Sequence, residues 1–169
     1  TGLTWINPSP NMRSLNAALL YPGIGLLETT NISVGRGTDT PFEVLGAPWI
    51  NERELAAELN KCNLPGVSFV PIRFTPSSSK HAKLECRGVN TVIVDRDQFQ
   101  PVFTGLAIAH KLQELYPDHW ETNRMMRLLG NRATLDAILL RRDLRELQNE
   151  IDGALGDFAR RRDRFLLYR

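Results

Sequence analysis

Between Tyr21 and Trp49 the chain sets a carboxylate, a carboxamide, a guanidinium and a hydroxyl within eleven residues: Glu28, Asn31, Arg36 and Thr38. Arg36 stands between Gly35 and Gly37. Glycine admits backbone conformations closed to other residues and lets a chain approach a ligand closely. A guanidinium displayed on such a turn can grip a carboxylate or a phosphate through two parallel hydrogen bonds. Asn31 and Thr38 can serve neighbouring polar groups of the same ligand. The competing reading is a structural loop in which Arg36 pairs with Glu28 or Glu43.

A second polar stretch, Thr75 to Lys83, carries Ser77, Ser78, Ser79, Lys80 and His81. A serine nucleophile beside lysine or histidine also needs an orienting partner and an oxyanion hole. Nothing in the sequence identifies either. Lys80 and His81 donating to ligand oxygens is one reading, and an ordinary solvated loop is the other. His110 and His119 are scattered, and no set of residues has metal-ligand spacing, so no metal and no cofactor is expected. Gly23 and Gly25 lack the third glycine of a dinucleotide fingerprint. Cys62 and Cys86 are read as small apolar side chains. Asp95-Arg96-Asp97 is read as a turn stabilised by ion pairing.

The elements that must position these residues follow from periodicity. Met12 to Leu20 has helical spacing, and Pro22-Gly23 is expected to stop it. Ile24 to Glu28 and Phe42 to Leu45 read as strands flanking the first loop. Asn51 is a helix N-cap, with Glu54 placed to complete a capping box. Val67 to Phe74 reads as a strand broken by Pro71, at an edge or a bulge. Gly88 to Asp95 is rich in β-branched residues and reads as a strand. Helices are expected from Thr104 to Tyr116, Thr122 to Leu129 and Thr134 to Leu140. A long C-terminal helix follows, with Leu144, Leu147, Ile151, Leu155 and Phe158 on one face and arginines interleaved with acids. Gly153 and Gly156 either weaken it or admit a packed neighbour. The fold class is α+β, a small mixed or antiparallel sheet packed with helices.

Composition bounds the partners. A net charge of +2 over 169 residues gives no reason to expect nucleic acid. No apolar run approaches the ~20 residues of a membrane span.

The motifs in order resemble the C-terminal domain of the exo-β-N-acetylmuramidase family, NamZ. They are P-S-P-N-M from Pro8, L-Y-P-G from Leu20, E-x-x-N-x-S-x-G-R-G-T from Glu28 and G-A-P-W from Gly46. F-x-P-x-x-F-T-P-x-x-S-K-H-A from Phe69, C-x-G-V from Cys86, D-R-D-x-F-x-P-V from Asp95 and F-L-L-Y from Phe165 complete the set. The resemblance implies a glycoside hydrolase of bacterial cell-wall and peptidoglycan turnover. In that family a Rossmann-like α/β half precedes this region. Residues 1–169 would then be a single domain of a two-domain, exported enzyme that releases terminal N-acetylmuramic acid. The domain would be inactive in isolation and exposed to self-association where its partner docks. Arg36 would meet the lactyl carboxylate of the muramic sugar, since leaving a buried charge unpaired costs several kcal/mol. Asn31, Thr38, Lys80 and His81 would bind the rest of the sugar. Glycoside hydrolysis usually uses two carboxylates. The family's catalysis is ascribed mainly to the first half, so Glu28 is expected in a supporting catalytic role. Thr29 stands where the family pattern has glycine. The alternative function is a non-catalytic module that binds cell-wall sugars or another protein.

Overall fold

The computed structural model describes residues 2–168 and has the expected α+β architecture. Helix α1 spans Leu15–Ile24, strand β1 Val44–Ala47 and helix α2 Glu52–Lys61. Strands β2 and β3 follow at Val67–Phe74 and Cys86–Ile93. The helices α3 (Pro101–Leu115), α4 (Met126–Leu129), α5 (Arg132–Leu139) and α6 (Leu144–Arg162) close the chain. The sheet is antiparallel throughout, in the order β1-β3-β2.

Strand β3 holds the centre because its β-branched residues suit a position paired on both sides. Val89 is opposite Leu45 on one neighbour and Pro71 on the other. The expected break at Pro71 does not occur, and β2 runs through it. Pro71 lies on the edge strand in phase with Phe69, whose N–H points away from β3 and donates to Asn60 Oδ1 at 2.9 Å. A residue in that phase owes the ladder no N–H, so proline is tolerated. Asn60 Nδ2 also donates to the Phe69 carbonyl at 2.8 Å, and so covers an edge otherwise open to pairing.

Helix α2 packs on the sheet through Leu55, Ala56 and Leu59. Asn51 caps it by accepting from Arg53 N and Glu54 N. The capping box is not completed: the Asn51 N–H donates to the Tyr116 hydroxyl at 3.2 Å, and Glu54 turns to that same hydroxyl. Helix α3 is buried almost all round from Thr104 to Leu112, as the apolar run Leu106 to Ala109 requires. The core lies between the sheet and these helices, with Leu59, Val89, Ile108, Leu112 and Ile138 fully enclosed.

The expected strand at Ile24 to Glu28 is instead the end of α1 and a 3-10 turn, Gly25–Leu27. A short apolar run carries no period of its own, so burial decides its form. Leu20, Ile24 and Leu27 lie three and four apart and are all enclosed. Pro22 and Gly23 do not stop α1, although the proline costs it one backbone hydrogen bond. The two helices α1 and α3 touch backbone to backbone at this point. A Cβ on Gly23 would fall 1.9 Å from the Pro101 carbonyl oxygen, and one on Gly105 2.4 Å from the Gly23 oxygen.

Other boundaries move for local reasons. Strand β1 starts at Val44 rather than Phe42, because Phe42 takes a left-handed φ of 66°. The Asp95 turn is built by its carboxylate accepting from Asp97 N and Gln98 N, while Arg96 reaches Asn16. Both cysteines are free. Burial raises both thiol pKa values, that of Cys86 to about 11. Among the described residues helix α6 is enclosed only at Leu147, Leu155 and Phe158 are exposed, and nothing packs at Gly153. Its charges pair locally, Glu150 with Arg142 just before the helix and Arg160 with Asp157 within it. Among the described residues no helix is long and apolar enough to cross a membrane.

Candidate functional site

The loop between α1 and β1 is shaped by two left-handed glycines, Gly35 at φ 79° and Gly37 at φ 84°. Their role is internal. The Gly37 carbonyl accepts both Ser77 N–H and Ser77 Oγ–H at 2.8 Å. A Cβ on Gly37 would fall 2.5 Å from the Ser78 carbonyl oxygen. The second glycine therefore admits the Thr75 to Lys83 loop, where the sequence pattern had pointed to a ligand.

Arg36 donates its Nε–H to Glu28 Oε1, so the pairing with Glu28 is the one that forms. Glu43 instead accepts from Ser14 Oγ at 2.6 Å. The Arg36 guanidinium lies 5.1 Å from the centroid of the Phe42 ring, which Tyr21 meets edge-on. Arg36 keeps 33% of its side-chain surface exposed and Glu28 25%. The cation is thus neither sealed in the core nor displayed freely.

The facing loop is strained. Ser79, His81 and Lys83 all have φ between 56° and 70°, a region costly for residues with a Cβ. Four contacts hold them. Lys83 N donates to Pro76 O, and Leu84 N to His81 O. Lys80 Nζ donates to the Glu28 carbonyl. His81 Nε2 lies 2.8 Å from the Asn31 carbonyl, which can only accept, so Nε2 carries a proton. Burial pulls the Lys80 pKa down; the Glu28 charge opposes this, and Arg36 and Arg124 add to it.

Asn31 builds a third wall. Its Nδ2 donates to the His119 carbonyl at 2.8 Å, and its Oδ1 accepts from Glu121 N at 3.0 Å. His119 is stacked on Trp49, with ring centroids 5.9 Å apart. The turn from Glu121 to Arg124 is thereby drawn against the two loops. It precedes α4, which starts at Met126 and not at the expected Thr122.

Two open cavities result. The first, of about 310 Å³, is lined by Thr29, Asn31, Lys80, His81, Asn123 and Arg124 among others. That lies at the lower end of small-ligand sites. The second, of about 580 Å³, takes Thr38, Arg13, Asp39, Ser77 and Ser78. The expected group is therefore divided. Asn31, Lys80 and His81 meet at the first cavity and Thr38 lies at the second. Glu28 and Arg36 line neither; their neighbours Thr29 and Gly37 do. Both polar ends of Asn31 are spent on the chain itself. So is the Thr38 hydroxyl, which donates to Gly35 O and accepts from Thr40 N. Asn123 and Arg124 had no local signal in the sequence, since a tie of 90 residues from Asn31 to Glu121 brings them there.

Residues 19–168 match the family model described as exo-beta-N-acetylmuramidase NamZ, C-terminal. The chain belongs to the NamZ C-terminal family. It is 40% identical to the peptidoglycan beta-N-acetylmuramidase NamZ of Bacillus subtilis strain 168, over 99% of this chain and 41% of that protein. A DUF1343 family protein of Bacteroides fragilis has a crystal structure that superimposes at a TM-score of 0.86, with 28% identity over 99% of this chain and 46% of the other. A second B. fragilis DUF1343 structure, at 24% identity and a TM-score of 0.65 over 96% of this chain and 44% of its own, shares the fold. The chain spans less than half the length of these relatives.

Thr29 stands where the resemblance implied a glycine. It lines the first cavity, and its Oγ1 is buried without a hydrogen-bond partner among the described residues.

Proposed function

We propose that residues 1–169 act as one domain that forms part of the substrate cleft of an exo-acting peptidoglycan hydrolase. The whole enzyme would release terminal N-acetylmuramic acid, with most acid-base chemistry supplied by a preceding half. The observation that carries this reading is the convergence of Lys80, His81 and Arg124 on one open polar cavity, with Lys80 tied to the carbonyl of Glu28, the partner of Arg36. A strained loop carrying Lys80 and His81, braced against its neighbour, suits an acidic saccharide. Strain of this kind clusters at ligand clamps.

The division of labour follows from Glu28. Its carboxylate is occupied by Arg36, and it lines neither cavity, so it braces the loop rather than delivering a proton. The isolated chain is therefore expected to leave a chromogenic muramic acid glycoside intact while binding N-acetylmuramic acid. Titration followed by amide NMR would read the binding, and turnover by the chain alone would overthrow the assignment. Self-association belongs to the same reading. Leu155 and Phe158 on α6 are exposed, and sedimentation velocity across a concentration series measures whether they draw copies together.

A further inference from the structure

We propose that the cavity between the Thr29–Asn31 turn, the Lys80–His81 tip and the Asn123–Arg124 turn is the carboxylate subsite for the acidic sugar. Arg124 and Lys80 are its paired cations, and Arg36 is a brace. The inference rests on the reading that the ligand is an acidic saccharide, and it assigns the charge contact to a different residue.

Three features of the cavity carry it. Arg124 lines the cavity, is exposed, and forms no ion pair among the described residues. Arg36 lines neither of the two cavities, and its Nε is committed to Glu28. Lys80 donates to a neutral acceptor, the Glu28 carbonyl, and forms no ion pair among the described residues, so the Glu28 charge offsets its own only in part. Like charges set side by side repel, and an arriving carboxylate turns that cost into two charge-assisted hydrogen bonds. Burial is the main cause of the lowered Lys80 pKa, and Arg124 adds a smaller push in the same direction. Glu121 also lines the cavity, but it is exposed and its side chain pairs with neither cation among the described residues.

The neutral groups fit the same ligand. Thr29 Oγ1 is a buried hydroxyl with no partner among the described residues, a group that normally finds one. With Nε2 donating to the Asn31 carbonyl, the His81 ring is fixed. The Arg124 backbone is held on both sides: Asn31 anchors Glu121, and Met125 is enclosed in the core. A fixed backbone at Arg124 leaves only side-chain freedom to be lost when it binds.

The test compares N-acetylmuramic acid with N-acetylglucosamine, which lacks the lactyl carboxylate, on the wild-type chain, Arg124→Gln, Arg124→Lys and Arg36→Gln. Affinity is read by NMR titration and folding by thermal midpoint. The wild type is expected to prefer the acidic sugar. Arg124→Gln should weaken that sugar by about tenfold or more while leaving the neutral sugar and the midpoint unchanged. Arg124→Lys should recover part of the preference. If Arg124→Gln keeps the full preference while a folded Arg36→Gln loses it, the subsite is wrong and the function stands. If the wild-type chain binds neither sugar, or does not distinguish them, the functional reading falls and the subsite with it.

Discussion

Arg36 donates its Nε–H to the carboxylate of Glu28, eight residues earlier in the same loop. The backbone carbonyl of Glu28 accepts from Lys80 of the facing loop. One residue thus joins both cationic segments. The pair is partly exposed, which limits its worth. Arg36→Ala is expected to destabilise the chain by about 1–2 kcal/mol, the value of a partly screened charged hydrogen bond. Urea unfolding would check this, and a loss above roughly 4 kcal/mol would mean a buried pair instead.

The glycines separate into two kinds. Gly37→Ala puts a methyl 2.5 Å from the Ser78 oxygen at a φ of 84° and should part the two loops, raising hydrogen exchange from Thr75 to Lys83. Gly23→Ala meets the Pro101 oxygen at 1.9 Å and should cost about 3 kcal/mol or prevent folding, the scale of severe overpacking. Gly153→Ala has open space inside α6 and should stabilise by about 0.5–1 kcal/mol. Thermal and urea unfolding of the three variants would order them. A destabilising Gly153→Ala would show that something packs there after all.

Helix α6 offers a sharp contrast along one apolar face. Leu147 is 2% exposed, whereas Leu155 is 57% and Phe158 is 52% exposed. Leu147→Ala should cost about 2–4 kcal/mol, and Leu155→Ala or Phe158→Ala no more than about 0.5 kcal/mol in a dilute monomer. A large loss at Phe158 would mean that the outer helix is covered in solution.

Alkaline pH should weaken the fold. Burial raises the Cys86 thiol to about 11 and is the main cause that lifts the Tyr116 hydroxyl to about 12. Both folded values lie above their unfolded ones, so their contributions are complete below about pH 8.5 for the thiol and about 10 for the phenol. They are lost as pH rises towards 11 and 12. Lys80 acts in the opposite sense. Its folded pKa is lowered, so its penalty is relieved as pH rises to its unfolded value of about 10.4. Unfolding free energies from pH 7 to 11 should fall, and Cys86→Ala should flatten the first part of the fall. A thiol reagent should leave Cys86, which is fully enclosed, untouched in the native chain.

Much of the fold and the outline of the site could be read from local patterns. The β-branched run of β3, the Asn51 cap and the α6 periodicity each act within a few residues, and each appears where expected. The two polar loops were legible for the same reason, since glycines, charges and hydroxyls concentrate where the chain turns. Local chemistry could not decide whether Ile24 to Leu27 would be strand or helix. The answer came from the α1–α3 crossing at Gly23 and Gly105, two helices far apart in the chain. The sequence picked out Asn31, Lys80 and His81, but the remaining wall of the cavity was out of reach. Arg124 arrives through one carboxamide, Asn31, that grips the chain 90 residues later. Residue types and short-range spacing determined which groups were available for binding. Long-range packing alone decided which of them share a cavity, because nothing near Arg124 in the chain marks its neighbours in space.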